Sequence, residues 1–256
     1  MSVRGWFITG TDTGVGKTLV TTGLLHAARG LGRRAVGLKP LAAGCERIDG
    51  EWMNDDARQL RAASAVPLAY AEVNPVALIP AMAPHIAAAQ AGIELAAADL
   101  AAAVRALVGQ SGARGFDSVF VEGAGGWLVP LNDTETLADL AVMLGYPVIL
   151  VVAMRLGCLN HALLTAAAIE AAGLPLAGWV ANSTADSMAA DAAANGMVAN
   201  ATANDMVALE ENLVTLGRRL PAPRLGTLPW LGAAPSAEEV GALLDGGRLF
   251  GPGPRA

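Results

Sequence analysis

Trp6-Phe7-Ile8-Thr9-Gly10-Thr11-Asp12-Thr13-Gly14-Val15-Gly16-Lys17-Thr18 is the stretch on which the reading of this chain turns. It runs from a short apolar segment through a glycine-rich turn into a segment with helical periodicity. Strand, turn and helix in that order are the setting of a phosphate-binding loop. Glycines let backbone N–H groups face an anion without Cβ clashes. The following helix presents its unpaired N–H groups and positive dipole end to the same anion. Lys17 supplies a point charge for the β- and γ-phosphates, and Thr18 a hydroxyl for Mg²⁺. The spacing departs from the common loop: five residues separate Gly10 from Gly16, and Thr11 holds the usual first-glycine position. An ordinary glycine-rich strand–helix turn is the alternative, and Gly-Lys-Thr in this context favours the phosphate loop.

Working outward, the chain has 256 residues, enough for one large α/β domain. It is 54% hydrophobic but only 4% aromatic, so its core is built from Leu, Val, Ile and Ala. A net charge of −6, with no run of basic residues longer than two, argues against a nucleic-acid surface. The most apolar window, Pro147 to Met154, falls far short of the ~20 residues of a membrane span and reads as a buried parallel strand. The phosphate loop comes so early that no signal peptide is expected. Cys45 and Cys158 form neither a disulfide framework nor a metal spacing, which favours a reduced, cytoplasmic setting.

The 17 basic residues include only two lysines, Lys17 and Lys39. Arginine cannot replace a compact ammonium without changing geometry, so the retention of Lys39 in a lysine-poor chain is informative. Ala35 to Pro40 read as a short second strand ending in Lys-Pro. Ligands of open α/β sheets lie beyond the carboxyl ends of the strands, which places Lys39 beside the phosphates if this strand neighbours the first. A surface lysine at a strand end is the plainer reading.

The remaining elements are expected as follows. Residues 3–9 form the first strand and Lys17 to Leu31 the first helix. Leu41 to Trp52 read as loop. A helix starts at Asn54 or Asp55, where Asp56 is either a dipole partner of that helix or a metal ligand. Four prolines make residues 66–84 largely irregular. His85 opens an alanine-rich helical region, 86–109, broken near Gly92. Ser118 to Val121 form a strand running into Glu122 and four small residues, where the acid either holds Mg²⁺ or is merely exposed at a turn. Asp133 or Thr134 caps a helix through Leu144. Pro147 to Ala153 form a strand, Gly157 to Ala172 open and form a helix with Cys158 and His161 as structural residues, and Gly178 to Ala181 form a strand ending at Asn182, placed to meet a base edge. Residues 183–207 read as a mobile loop leading into a helix that ends near Arg219. Leu225 to Trp230 form the last strand, followed by a short helix near Ala237 to Leu244. The fold class is α/β: one phosphate-loop domain over residues 1–245, a mainly parallel sheet with helices on both faces, and a Gly/Pro tail, 246–256, expected to be disordered.

Taken together the motifs resemble the dethiobiotin synthetases of biotin biosynthesis, from Val3 to about Leu231. The family's G-T-D-T-x-V-G-K-T stands here as Gly10 to Thr18, its K-P as Lys39-Pro40, and its acidic helix start as Asp56. Its E-G-A-G-G is Glu122 to Gly126, its L-G-C-x-N-H Leu156 to His161, its W-V-A-N Trp179 to Asn182, and its P-W-L Pro229 to Leu231. The resemblance implies that Thr13, Gly14, Val15, Gly16, Lys17, Thr18 and Leu19 hold the triphosphate of ATP, together with Glu122, Gly123, Ala124 and Gly125. It implies Mg²⁺ at Thr18, Asp56 and Glu122, and the adenine at Asn182, Ser183, Pro229, Trp230 and Leu231. Lys39 and Lys17 become the catalytic lysines, and Thr13, Lys39, Ala43, Gly125 and Asn160 the substrate contacts. Asn160 would come from the partner subunit of a homodimer, with the substrate at the interface. The implied reaction closes a ureido ring on 7,8-diaminononanoate with CO₂ and ATP, through a carbamate and a carbamic–phosphoric anhydride, with neither nucleic acid nor membrane as partner. The family often carries Ser or Thr three to four residues after the active lysine, where this chain has Ala42 and Ala43, and some members have an acid in place of Gly14.

Three other classes compete. A partition- or septum-type switch ATPase would carry an extra lysine early in the loop, which Gly10-Thr11-Asp12 lacks. A cobyrinate amidotransferase relative would need a glutaminase domain for which the chain is too short. A catalytically silent nucleotide module would not require Lys39, Asp56 and Glu122.

Overall fold

The computed structural model of the protein describes residues 3–184, 208–232 and 235–251. Its strands are β1 (Arg4–Gly10), β2 (Ala35–Leu38), β3 (Leu41–Ala43), β4 (Glu46–Ile48), β5 (Glu51–Met53), β6 (Val76–Leu78), β7 (Ser118–Gly126), β8 (Val148–Ala153), β9 (Leu176–Asn182) and β10 (Arg224–Leu228). Its helices are α1 (Lys17–Gly30), α2 (Asp55–Ala63), α3 (Tyr70–Val73), α4 (Pro84–Gln90), α5 (Ala97–Val108), α6 (Ser111–Arg114), α7 (Leu137–Leu144), α8 (Cys158–Ala171), α9 (Leu209–Arg219), α10 (Ala237–Ala242) and α11 (Gly246–Phe250).

Six strands form one parallel sheet in the order β10-β9-β8-β1-β7-β2. The order reverses about β1, so the loop after β1 opens at the switch point, where open α/β sheets bind their ligands. β8 reads Val-Ile-Leu-Val-Val-Ala and is buried throughout, as a parallel strand covered on both faces must be. Its side chains alternate between two clusters. Ile149 and Val151 join the larger one, with Val20 and Leu24 of α1 and Val240 of α10. Leu150 and Val152 face Ala162 and Ala166 of α8 and Leu213 and Leu216 of α9. None of the described helices is long and apolar enough to cross a membrane.

The expected strand–helix alternation is present, with five local corrections. Leu41 to Trp52 are not all loop: β3 pairs in parallel with β6, and β4 and β5 form an antiparallel hairpin. The proline-rich segment correspondingly holds α3 and β6 between its prolines. β7 does not stop at Val121 but continues to Gly126, which puts Glu122 in register with Ile8 inside the sheet. The cap of α7 is Thr136, not Asp133 or Thr134. Thr136 forms a capping box with Asp139, while Asn132 accepts the amides of Thr134 and Glu135 in a separate turn. Residues 246–250 are not disordered but form α11. There Phe250 packs edge-on against Trp6 at 4.9 Å between ring centroids, and Arg4 Nη1 donates to the Phe250 carbonyl at 3.1 Å. Residues 252–256 and 185–207, including most of the expected mobile loop, lie outside the described residues.

Candidate functional site

β1 ends at Gly10, and the loop turns through two glycines at positive φ, Gly14 at 73° and Gly16 at 90°. Gly16 is also the N-cap of α1, with no side-chain cap and no acid in the first turn, so the helix's first amides stay available to an anion. A Cβ at Gly16 would lie 2.2 Å from Asn182 Nδ2. That amide donates to the Val15 carbonyl at 2.8 Å and ties the end of β9 to the loop. Lys17 Nζ donates to the Asp12 carbonyl at 3.0 Å. Burial, reinforced by the charge of Lys39, pushes the Lys17 ammonium down to about 8. Asp12 Oδ1 accepts the Thr13 amide, and its other oxygen pairs with Arg155 Nη2 at 2.7 Å.

The second lysine is placed by sheet register. β2 and β7 are parallel neighbours with Leu38 opposite Val121, so Lys39 and Glu122 emerge side by side at the next position. Asn74 Nδ2 donates to the Lys39 carbonyl, and the Lys39 amide donates to Val73, which fixes the backbone there. Lys39 is 4% exposed and Glu122 0%. The Lys39 ammonium donates to Glu122 Oε1 at 2.6 Å, Asp56 Oδ2 at 3.0 Å and the Gly123 carbonyl at 3.2 Å. Burial works against its charge, but Glu122 and Asp56 outweigh that and hold its pKa above the ordinary lysine value. Burial likewise opposes the charge of Asp56, and the Lys39 ammonium and Thr18 hydroxyl outweigh it, so its carboxyl titrates below the ordinary range. Asp56 reaches the cluster from the first turn of α2, whose cap, Asn54, accepts the Ala57 amide.

Glu122 is gripped from α1 as well. Thr18 Oγ1 donates to Oε1 at 2.8 Å and Thr21 Oγ1 to Oε2 at 2.9 Å. Two carboxylates therefore converge on one cation, the Lys39 ammonium, and the Thr18 hydroxyl shares Glu122 Oε1 with it. These are hard oxygen donors, and two carboxylates at most leave room for waters and phosphate oxygens, as Mg²⁺ requires.

Above this cluster lies a cavity of about 710 Å³. Thr13, Gly14, Gly16, Lys17, Thr18, Lys39, Asn54, Asp56, Ala124 and Gly125 contribute the loop and the polar groups of its lining. Ala43, Ala81, Met82, Ala83, Pro84, Val129 and Pro130 contribute the largely apolar remainder of the lining. Most of the residues expected at a triphosphate are thus gathered. Val15 is turned into the core, and Gly123 contributes through its carbonyl. Leu19 faces a separate groove of about 390 Å³ with Thr22, His26 and Pro235. Asn182 Oδ1 is buried with no hydrogen-bond partner among the described residues. Ser183 donates its amide to Leu228, and Pro229, Trp230 and Leu231 follow directly, so these expected base contacts sit together at the ends of two paired strands, beside the loop but not in the lining of the main cavity. Asn160 is exposed on α8 and does not line the cavity.

The sequence reading missed Thr21, Asn54 as a cavity residue, and the Arg155–Asp12 pair. Thr21 had a signal, because residues three apart on a helix share a face with Thr18. Arg155 had none, since only the fold brings the end of β8 to the loop after β1.

The family described as an AAA domain matches residues 4–236. Among curated relatives, the ATP-dependent dethiobiotin synthetase BioD of Cellvibrio japonicus is 52% identical over 245 residues, covering 96% of this chain and 97% of that one. The protein of the same name from Pseudomonas paraeruginosa is 51% identical, covering 94% and 95%, and that from Aromatoleum aromaticum 48%, covering 94% and 96%. Among solved structures, the septum site-determining protein MinD of Pyrococcus horikoshii, complexed with Mg-ADP, is similar in fold, with a TM-score of 0.50 at 16% identity over 90% of this chain and 82% of that one.

Proposed function

This chain belongs to the family of ATP-dependent dethiobiotin synthetases, and from that premise we propose how its site carries out the family's reaction. The activity is an ATP-dependent ligation that closes a ureido ring in biotin biosynthesis. The acceptor is 7,8-diaminononanoate. One of its amines adds to CO₂ and loses a proton, giving a carbamate. A carbamate oxygen attacks the γ-phosphorus while the bond to the β-phosphate oxygen breaks and ADP leaves. The second amine then attacks the carbonyl carbon of the mixed anhydride, loses its proton and expels phosphate.

Each step demands alignment and charge neutralisation rather than an enzyme nucleophile. The loop from Thr13 to Leu19 cradles the phosphates through its amides, and Lys17 exchanges the Asp12 carbonyl for β- and γ-phosphate oxygens. Lys39 turns from Glu122 and Asp56 to the γ-phosphate and the carbamate, where its charge is stabilising as the phosphoryl group transfers. Thr18, Asp56 and Glu122 would hold Mg²⁺, which would supply the remaining charge neutralisation. The Asn182 carbonyl oxygen, buried and unpartnered, suits the exocyclic amine of adenine, with Ser183 and Pro229 to Leu231 around the base. The apolar lining at Ala43, Met82 and Val129 suits the methylene chain of the acceptor. The partner subunit's Asn160 completes the acceptor site in a homodimer. On α8, Asn160 lies one turn from the exposed Leu164 (62%), and Leu156 in the turn before the helix is 78% exposed, a surface suited to a second copy. The reaction is placed in the cytoplasm, where ATP is supplied.

The observation that carries this reading is the buried Lys39 ammonium, within 3.0 Å of two carboxylates and lining the same cavity as Lys17 and the loop. ADP formation is the test, measured with and without diaminononanoate and bicarbonate. Strict dependence on both is the expected result. Hydrolysis indifferent to both would make the protein a switch ATPase on the same fold.

A further inference from the structure

Both bonds to Glu122 Oε1 come from groups that the reaction recruits elsewhere. Lys39 Nζ at 2.6 Å leaves for the transferring phosphoryl group, and Thr18 Oγ1 at 2.8 Å turns to the metal. Oε2 is held differently, by Thr21 Oγ1 at 2.9 Å. Thr21 is fully buried on the inner face of α1 and lines neither cavity, so it has no ligand of its own to meet. Its single hydroxyl proton has a second acceptor in range, the Lys17 carbonyl at 2.8 Å, but a carboxylate is the stronger acceptor. One turn of α1 thus grips both oxygens of Glu122, and only the Thr21 half of that grip persists through the catalytic cycle.

We propose that Thr21 is a positioning residue that holds Glu122 in its metal-binding orientation after Lys39 and Thr18 have let go. The proposal rests on the reading of Glu122 as an oxygen donor to Mg²⁺. Oxygen ligands to metals are themselves oriented by hydrogen bonds, and losing such a partner typically weakens metal affinity without removing a ligand. Without the Thr21 hydroxyl, a buried carboxylate oxygen has no donor, and Glu122 rotates to find one.

The test is a Mg²⁺ titration of ADP binding by calorimetry, which needs no turnover. In Thr21→Val, which keeps the shape and loses the hydroxyl, the Mg²⁺ needed for half-maximal binding rises about tenfold or more. Binding of ADP without Mg²⁺ stays as in the parent. Thr21→Ser keeps the hydroxyl and titrates like the parent, and Thr21→Ala, which loses the hydroxyl without adding bulk, shows the same raised Mg²⁺ requirement and tests the proposal if the valine protein does not fold. An unchanged Mg²⁺ requirement in Thr21→Val, an equal loss of binding with and without Mg²⁺, or a serine variant as impaired as the valine one would each overturn it. Glu122→Gln is the control. If it too titrates like the parent, the metal reading of Glu122 fails; if it is impaired while Thr21→Val is not, only the role of Thr21 fails.

Discussion

Lys17 and Lys39 bring like charges into one buried space and meet opposite conditions there. Lys39 has two carboxylates; Lys17 has a carbonyl. On the proposed reading, Lys17 is therefore the group that meets the arriving phosphates. Its folded pKa of about 8 lies below the ordinary 10.5. Between those values the free site is neutral at Lys17, and a bound triphosphate restores the charge. ADP binding at pH 9 accordingly takes up a proton, and affinity falls as pH rises through about 8. Calorimetry in buffers of different ionisation enthalpy reads this directly; binding with no proton uptake would contradict it. Lys39→Ala should abolish ring closure, by ~10²-fold or more in kcat, while ADP still binds through Lys17 and the loop. It also strands Glu122 without a cation, at a cost of about 3 kcal/mol or more. A lowered Tm that Mg²⁺ restores is the expected signature, and near-normal product formation by this variant would remove Lys39 from the mechanism.

At the scale of elements, α11 shows how a short terminal helix is anchored. Phe250 contacts Trp6 and Phe120, and its carbonyl takes Arg4 from the start of β1. Phe250→Ala should cost about 3 kcal/mol. That is roughly 6–12 °C in Tm for a chain of this size, with ATP affinity unchanged. A thermal melt checks the first part; an unshifted Tm would return the tail to disorder. This element was illegible in the sequence because Gly246-Gly247 and the prolines beyond mask a single turn of helix whose stability is entirely tertiary. β3, β4, β5 and β6 were missed for a related reason. Each has three residues, too few for periodicity to register, and the β3–β6 pairing joins segments over 30 residues apart. The long elements were legible. β8 announces itself as a continuous apolar run, and α1 by its loop. The gathering of Lys17, Thr18, Lys39, Asp56 and Glu122 was legible from residue type and motif. The site was not legible where only register or hydrogen bonding gave a side chain its place, as at Thr21 and Arg155.

At the scale of the molecule, the sheet order sets the division of labour. β1 and its neighbours β7 and β8 carry the loop, Glu122 and Arg155, while β9 and β10 at the edge end in the proposed base contacts. The face of α8 around the exposed Leu164 is the one proposed above for a second subunit. Leu164→Arg should shift the protein towards monomer in light scattering and lower ring closure with it, leaving ADP affinity intact. A variant that stays dimeric and fully active would move the interface elsewhere. The central claim, however, is chemical: a carbamate oxygen is joined to the γ-phosphorus above Lys39 and departs with it. The direct measurement uses CO₂ labelled with heavy oxygen in ordinary water, quenched before label exchanges with solvent. The account predicts one labelled oxygen in the released phosphate and the other in the ureido carbonyl; phosphate released without label would contradict it.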